Sequence, residues 1–147
     1  MSPGSGHGRR FGARAHALQA LYWRQFVDSA LDEEARDWIA EEPRVFDRSY
    51  FEWLIQGVES HAGELDRWYE PFLDRPAAQI DPVEKAILRM GCFELGFAPD
   101  VDVPVILNES VELAKQYGAE ESYRFINGVL DQVARRLRGP REGSRHG

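Results

Sequence analysis

An all-α fold is predicted by three features of the sequence. Apolar residues recur at helical spacing through most of its length. Asp81-Pro82-Val83-Glu84 sets a cap, a proline at the first helical position and an acid at the third, the arrangement that starts a helix. No segment alternates apolar and polar residues as a strand does. With 147 residues, 43% of them hydrophobic, the chain suffices for one domain with a proper core.

The elements follow in order. Residues 1–8, with Gly4, Gly6 and Gly8, read as a flexible tail; no strand precedes them and no Gly-Lys-Ser/Thr follows, so they are not a phosphate loop. The first helix is expected from about Ala13 to Val27, striped by Ala13, Ala17, Ala20 and Leu21 with Leu18 and Tyr22 alongside, and with Arg14 facing away from much of that stripe. A short acid-rich helix is expected around Leu31–Ala40, stopping before Pro43. Asp47 caps the next, striped by Phe51, Leu54, Ile55 and Val58. Leu65, Trp68, Tyr69, Phe72 and Leu73 form another, interrupted at Pro71 and closed by Arg75-Pro76.

The helix begun by Asp81 is apolar nearly all round, with Val83, Ile87 and Met90 on one side and Leu88, Cys92 and Leu95 on another, so it should be central and buried. Pro104 opens a helix striped by Leu107, Val111 and Ala114, with Gly118 suited to a left-handed position at its end. The last is striped by Ile126, Leu130, Val133 and Leu137, and Glu120 and Glu121 favour its N-terminal end. Residues 139–147 read as a second flexible tail, leaving 9–138 as the domain.

Composition narrows the function classes. No apolar run approaches the roughly 20 residues that span a bilayer, and the N-terminal stretch lacks the apolar segment of a secretory signal, so the expected compartment is the cytoplasm. A single cysteine excludes an intramolecular disulfide and a cysteine-cluster zinc site. His7, His16, His61 and His146 are neither paired with Cys92 nor set at metal-ligand spacing, and Asp32, Glu33 and Glu34 belong to a charge run. Neither an enzyme nor a cofactor is expected.

Net charge is −7, but unevenly placed: residues 1–27 carry Arg9, Arg10, Arg14 and Arg24 without an acid, for +4, residues 132–147 again sum to +4, and 28–131 hold −15. Basic ends on an acidic body can meet phosphate, because screening limits each charge to about 8–10 Å. Only Lys85 and Lys115 are lysines among 18 basic residues; arginine suits phosphate and base edges, and genome composition yields the same bias. Most aromatic residues fall on core stripes. Tyr22 and Trp23 are adjacent on the arginine-bearing helix and cannot both face inward, and Phe125 follows Arg124. A base stacking on an exposed ring beside a phosphate-holding arginine is how unpaired RNA is gripped.

Several ordered motifs resemble the NusB family of transcription antitermination factors. Val83-Glu84-Lys85-Ala86-Ile87-Leu88-Arg89 with Phe93-Glu94-Leu95 is similar to one signature, and Val103-Pro104 with Asn108 through Lys115 and Tyr117-Gly118 to the next. Phe125 through Asp131 completes that set, while Arg9-Arg10, Ala13-Arg14, Ala17 through Tyr22 and Phe51 through Val58 resemble the first half. The resemblance covers about residues 9–137. It implies about seven helices in two packed subdomains and a function on nascent ribosomal RNA: binding single-stranded boxA RNA jointly with NusE, a small ribosomal protein, and joining RNA polymerase with other Nus factors. It further implies RNA contacts at Arg9, Arg10, Arg14, Tyr22 and Phe125, which Arg124 adjoins, and a NusE-facing acid at Glu84, also a capping-box residue. Some members dimerise, so a homodimer is among the implied assemblies.

The chain departs from the family pattern where Phe11-Gly12 separates the arginine pair from Ala13-Arg14, which shifts the register of Arg9 and Arg10, and where Ala15 replaces a frequent acid. Residues 28–46 match only loosely. Two rival readings compete with this one. NusB-like domains also occur ahead of RNA methyltransferase domains, but no Gly-rich cofactor strand–turn–helix follows here. A helical protein-interaction module without RNA contact fits the charge map equally.

Overall fold

The structure, a computed structural model, describes residues 3–26 and 46–140, with side chains from Gly8 onward. It is all-helical. Among the described residues are five α-helices, α1 (Pro3–Arg24), α2 (Arg48–Tyr69), α3 (Pro82–Phe97), α4 (Val103–Tyr117) and α5 (Ser122–Arg138), with 3-10 turns at Glu70–Phe72 and Ala77–Gln79. The helix expected around Leu31–Ala40 lies outside the described residues. None of these helices is long and apolar enough to cross a membrane.

Two compact units divide at Ser60/His61. In the first, α1 starts at Pro3, ahead of the expected Ala13 and within the stretch read as a tail. Positions 12–18 are buried almost all the way round, and small residues (Gly12, Ala13, Ala15, Ala17) make such burial feasible. Asp47 caps α2 as expected: its carboxylate accepts from the Tyr50 backbone N–H at 3.0 Å and from the Ser49 hydroxyl. The stripe of Phe51, Leu54, Ile55 and Val58 is buried.

The two helices expected over 47–58 and 65–73 are one element with a break. His61 leaves helical geometry (φ −121°, ψ 15°) inside α2, and Pro71 then falls in a 3-10 turn, where its missing N–H costs nothing.

In the second unit α3, α4 and α5 pack on one another around Ile87, Leu88, Cys92, Ile106, Leu113, Ile126 and Leu130. As expected, α3 is buried, from Ala86 to Leu95 except at Arg89. Gly91 permits its close approach to α5; a Cβ there would lie 2.7 Å from Leu130. Two details differ from expectation. Gly118 is extended (φ −96°, ψ 178°), not left-handed, and glycine stands there because a Cβ would meet the Ala114 carbonyl at 2.8 Å. Leu137, expected on the core stripe, is 37% exposed, whereas Ile126, Leu130 and Val133 are buried.

Arg138 closes this unit. Its guanidinium donates to the backbone carbonyls of Leu95 (3.0 Å), Val101 (2.6 Å), Glu94 (3.1 Å) and Ala98 (2.8 Å), gathering the end of α3 and the loop after it. One of the basic residues credited to the C-terminal charge cluster is thus committed to the fold.

Candidate nucleic-acid interface

In the first unit the expected residues sort by depth. Arg9 is exposed, and its carbonyl accepts from the Asp47 backbone N–H at 3.0 Å. Arg10 is half-buried, its guanidinium carbon 4.3 Å from the centroid of the Tyr50 ring. Arg14, one turn on, lies 5.3 Å from the same ring and is 2% exposed. The expectation that Arg14 faces away from the buried stripe is therefore corrected: it points inward, because α1 is buried over its full circumference at that level. Capping of α2 and the nearby Arg10 and Arg9 hold the Asp47 carboxyl below its usual range, so an anionic group already faces these arginines.

Tyr22 is half-buried, with Trp23 and Phe26 edge-on to its ring at centroid distances of 5.9 and 5.2 Å. Both neighbours are more than half exposed, which bears out the inference that Tyr22 and Trp23 cannot both turn inward. Arg24 pairs with Glu59 and is not free for phosphate.

The second unit carries another arginine–aromatic layer. Phe125 is half-buried at the start of α5, and the Arg75 guanidinium carbon lies 4.1 Å from its ring centroid. Arg75 also pairs with Asp74 at 2.8 Å and approaches Glu84 at 4.0 Å. Arg124 is exposed and turned to the Tyr123 hydroxyl (3.0 Å) and to Glu121 (3.3 Å). Lys115 lies over the Tyr123 ring at 5.0 Å.

Glu84 is 5% exposed. One carboxylate oxygen accepts from the Asp81 backbone N–H, completing the capping box, and the other accepts from the Ser122 hydroxyl at 2.7 Å. It thereby ties the start of α3 to the start of α5, three residues before Phe125. Tyr50 and Arg75 escaped the sequence reading: each reaches its partner from a segment remote in sequence, and nothing local marks either.

Among the described residues no three His, Cys, Asp or Glu side chains gather as a metal site. Cys92 is buried, and burial pushes its thiol well above the usual range, which suits a core residue and not a nucleophile. The molecule thus falls in the class of all-helical proteins that display arginines layered on aromatic rings, an arrangement suited to nucleic acid.

Comparison with known proteins narrows that class. The NusB family model matches residues 12–135. The chain is 46% identical to the transcription antitermination protein NusB of Nitrosococcus oceani over 137 residues, 93% of each chain, and 44% identical to that of Marinobacter nauticus over 92% of this chain and 85% of the relative. T. maritima NusB superposes with a TM-score of 0.74 at 27% identity, covering 92% of this chain and 96% of that one. NusB solved with NusE and double-stranded RNA does so with 0.74 at 26% identity, over 86% and 96%. The chain belongs to the NusB family of transcription antitermination proteins.

Proposed function

We propose that this protein binds boxA-type RNA in nascent ribosomal RNA jointly with NusE, and joins RNA polymerase and other Nus factors in the cytoplasm as a non-enzymatic antitermination factor. The observation that carries the reading is the family match over residues 12–135, together with a solved relative that holds NusE and RNA. That relative's RNA is double-stranded; an unpaired segment is proposed here because arginines and rings stacked in layers take splayed-out bases. Arg9, Arg10, Tyr22, Arg124 and Phe125 are the proposed RNA contacts. Arg14 serves from inside, packing against the Tyr50 ring that also carries Arg10. Glu84 acts on NusE through the network that it organises at the starts of α3 and α5. The acidic stretch 28–131 suits a basic ribosomal protein and weakens RNA binding by the chain alone.

The full architecture of about seven helices in two subdomains, a tail at 139–147, and a homodimer complete the proposal. The test is an anisotropy titration of boxA and scrambled RNA, with and without NusE, at fixed salt. Tight binding is expected only for boxA with NusE. Equal affinity with and without NusE overturns the joint reading. NusE binding without any RNA effect favours a helical interaction module instead.

A further inference from the structure

Arg75 lies in the connection between the two 3-10 turns, outside any helix. Its guanidinium covers one face of Phe125 at 4.1 Å. A base that stacks on that side must therefore displace the guanidinium or stack upon it. The second is favoured by the way the layer is held. Arg75 is tethered by Asp74 at 2.8 Å and faces Glu84 at 4.0 Å, and Glu84 in turn fixes the start of α5 through Ser122. Ring and guanidinium are thus referred to one buried carboxylate. The Asp74 pair is largely exposed and contributes little by itself, so the nearly buried Glu84 carboxylate is the firmer of the two anchors. Arg124, the arginine next to Phe125 in sequence, is instead engaged by Tyr123 and Glu121.

We propose that Arg75 is a further RNA-binding residue: its guanidinium, layered on Phe125, is the plane on which an unpaired base stacks. This rests on the RNA-binding reading above. A guanidinium is flat and delocalised and stacks on bases as aromatic rings do, while an ammonium has the charge without the plane.

The experiment compares the full chain with Arg75→Ala and Arg75→Lys, each titrated with boxA RNA in the presence of NusE at fixed salt. Arg75→Ala should weaken binding about tenfold, the order that loss of one stacked base produces. Arg75→Lys should weaken it nearly as much, because the plane is lost although the charge remains. Arg75 is only half-buried and its closest ion pair, with Asp74, is largely exposed, so melting temperatures should stay within about 2 °C of the parent; were Arg75→Ala to unfold, Arg75→Lys carries the test. Parental affinity in either variant overturns the proposal and leaves the RNA-binding reading standing. A parent chain that fails to bind boxA with NusE overturns both.

Discussion

Replacing Arg138 with alanine removes four hydrogen bonds from a charged donor, and the structure shows which acceptors suffer. The carbonyls of Glu94 and Ala98 keep backbone donors, from Ala98 at 2.9 Å and Val101 at 3.0 Å. The greater loss falls on Leu95 and Val101, whose carbonyls accept from the guanidinium at 3.0 and 2.6 Å. A hydrogen bond to a charged group contributes about 1.5–3 kcal/mol, and the half-buried site lets water replace part of it. The expected loss is therefore about 2–4 kcal/mol, which for a chain of this size lowers the melting temperature by roughly 6–15 °C. The cation also sits at the C-terminal end of α3, where its charge complements the negative end of the helix dipole. Arg138→Lys keeps that charge but cannot span four acceptors, so about half of the loss should remain. Thermal unfolding followed by circular dichroism measures both. An Arg138→Ala melt within about 1 °C of the parent would refute the clamp as a stabilising feature.

Three further outcomes are expected. Arg14→Ala removes a buried side chain and should cost roughly 2–4 kcal/mol of stability, read by urea denaturation; unchanged stability with a flatter salt dependence of RNA binding would restore Arg14 as a direct phosphate contact. Phe125→Ala should weaken boxA binding with NusE by about 1–3 kcal/mol while the half-buried position keeps the melt near the parent's; a collapsed melt with unaltered binding by the folded fraction would make the ring a packing residue only. Burial works against ionisation of Asp66, yet the two hydrogen bonds from Arg89, both 2.8 Å, hold its carboxyl below the ordinary value. The pair's contribution is then complete above the unfolded value near 3.9 and fades as pH falls through the lower folded value, so the stability gap between the parent and Asp66→Asn should narrow below about pH 4; a gap constant to pH 2 contradicts this.

Where the sequence carried a local signal, the fold was legible. The cap, proline and acid at 81–84 placed the start of α3 and its capping box, and Asp47 placed the start of α2. The depth of α1 was not, because a turn rich in alanine and glycine gives little contrast between faces, and Arg14 was assigned outward on that weak contrast. Gly118 was recognised as necessary for the wrong reason: a crowded carbonyl, not a left-handed turn, excludes a side chain. Of the candidate site, the arginines and rings were identified singly. Their pairing was hidden, since Arg10 with Tyr50 and Arg75 with Phe125 join positions forty or more residues apart. Arg138 was counted as surface charge because backbone carbonyls leave no mark in a sequence.

The position of Cys92 has a practical consequence. It is the only cysteine, it is fully enclosed between α3 and its neighbours, and burial disfavours its thiolate. A thiol reagent can modify it only after the core around it opens, so the labelling rate reports how often the second unit unfolds under native conditions. The native sequence therefore contains its own clock for that opening. Slower labelling once NusE and RNA are added would measure, in the same units of time, how firmly assembly holds the unit shut.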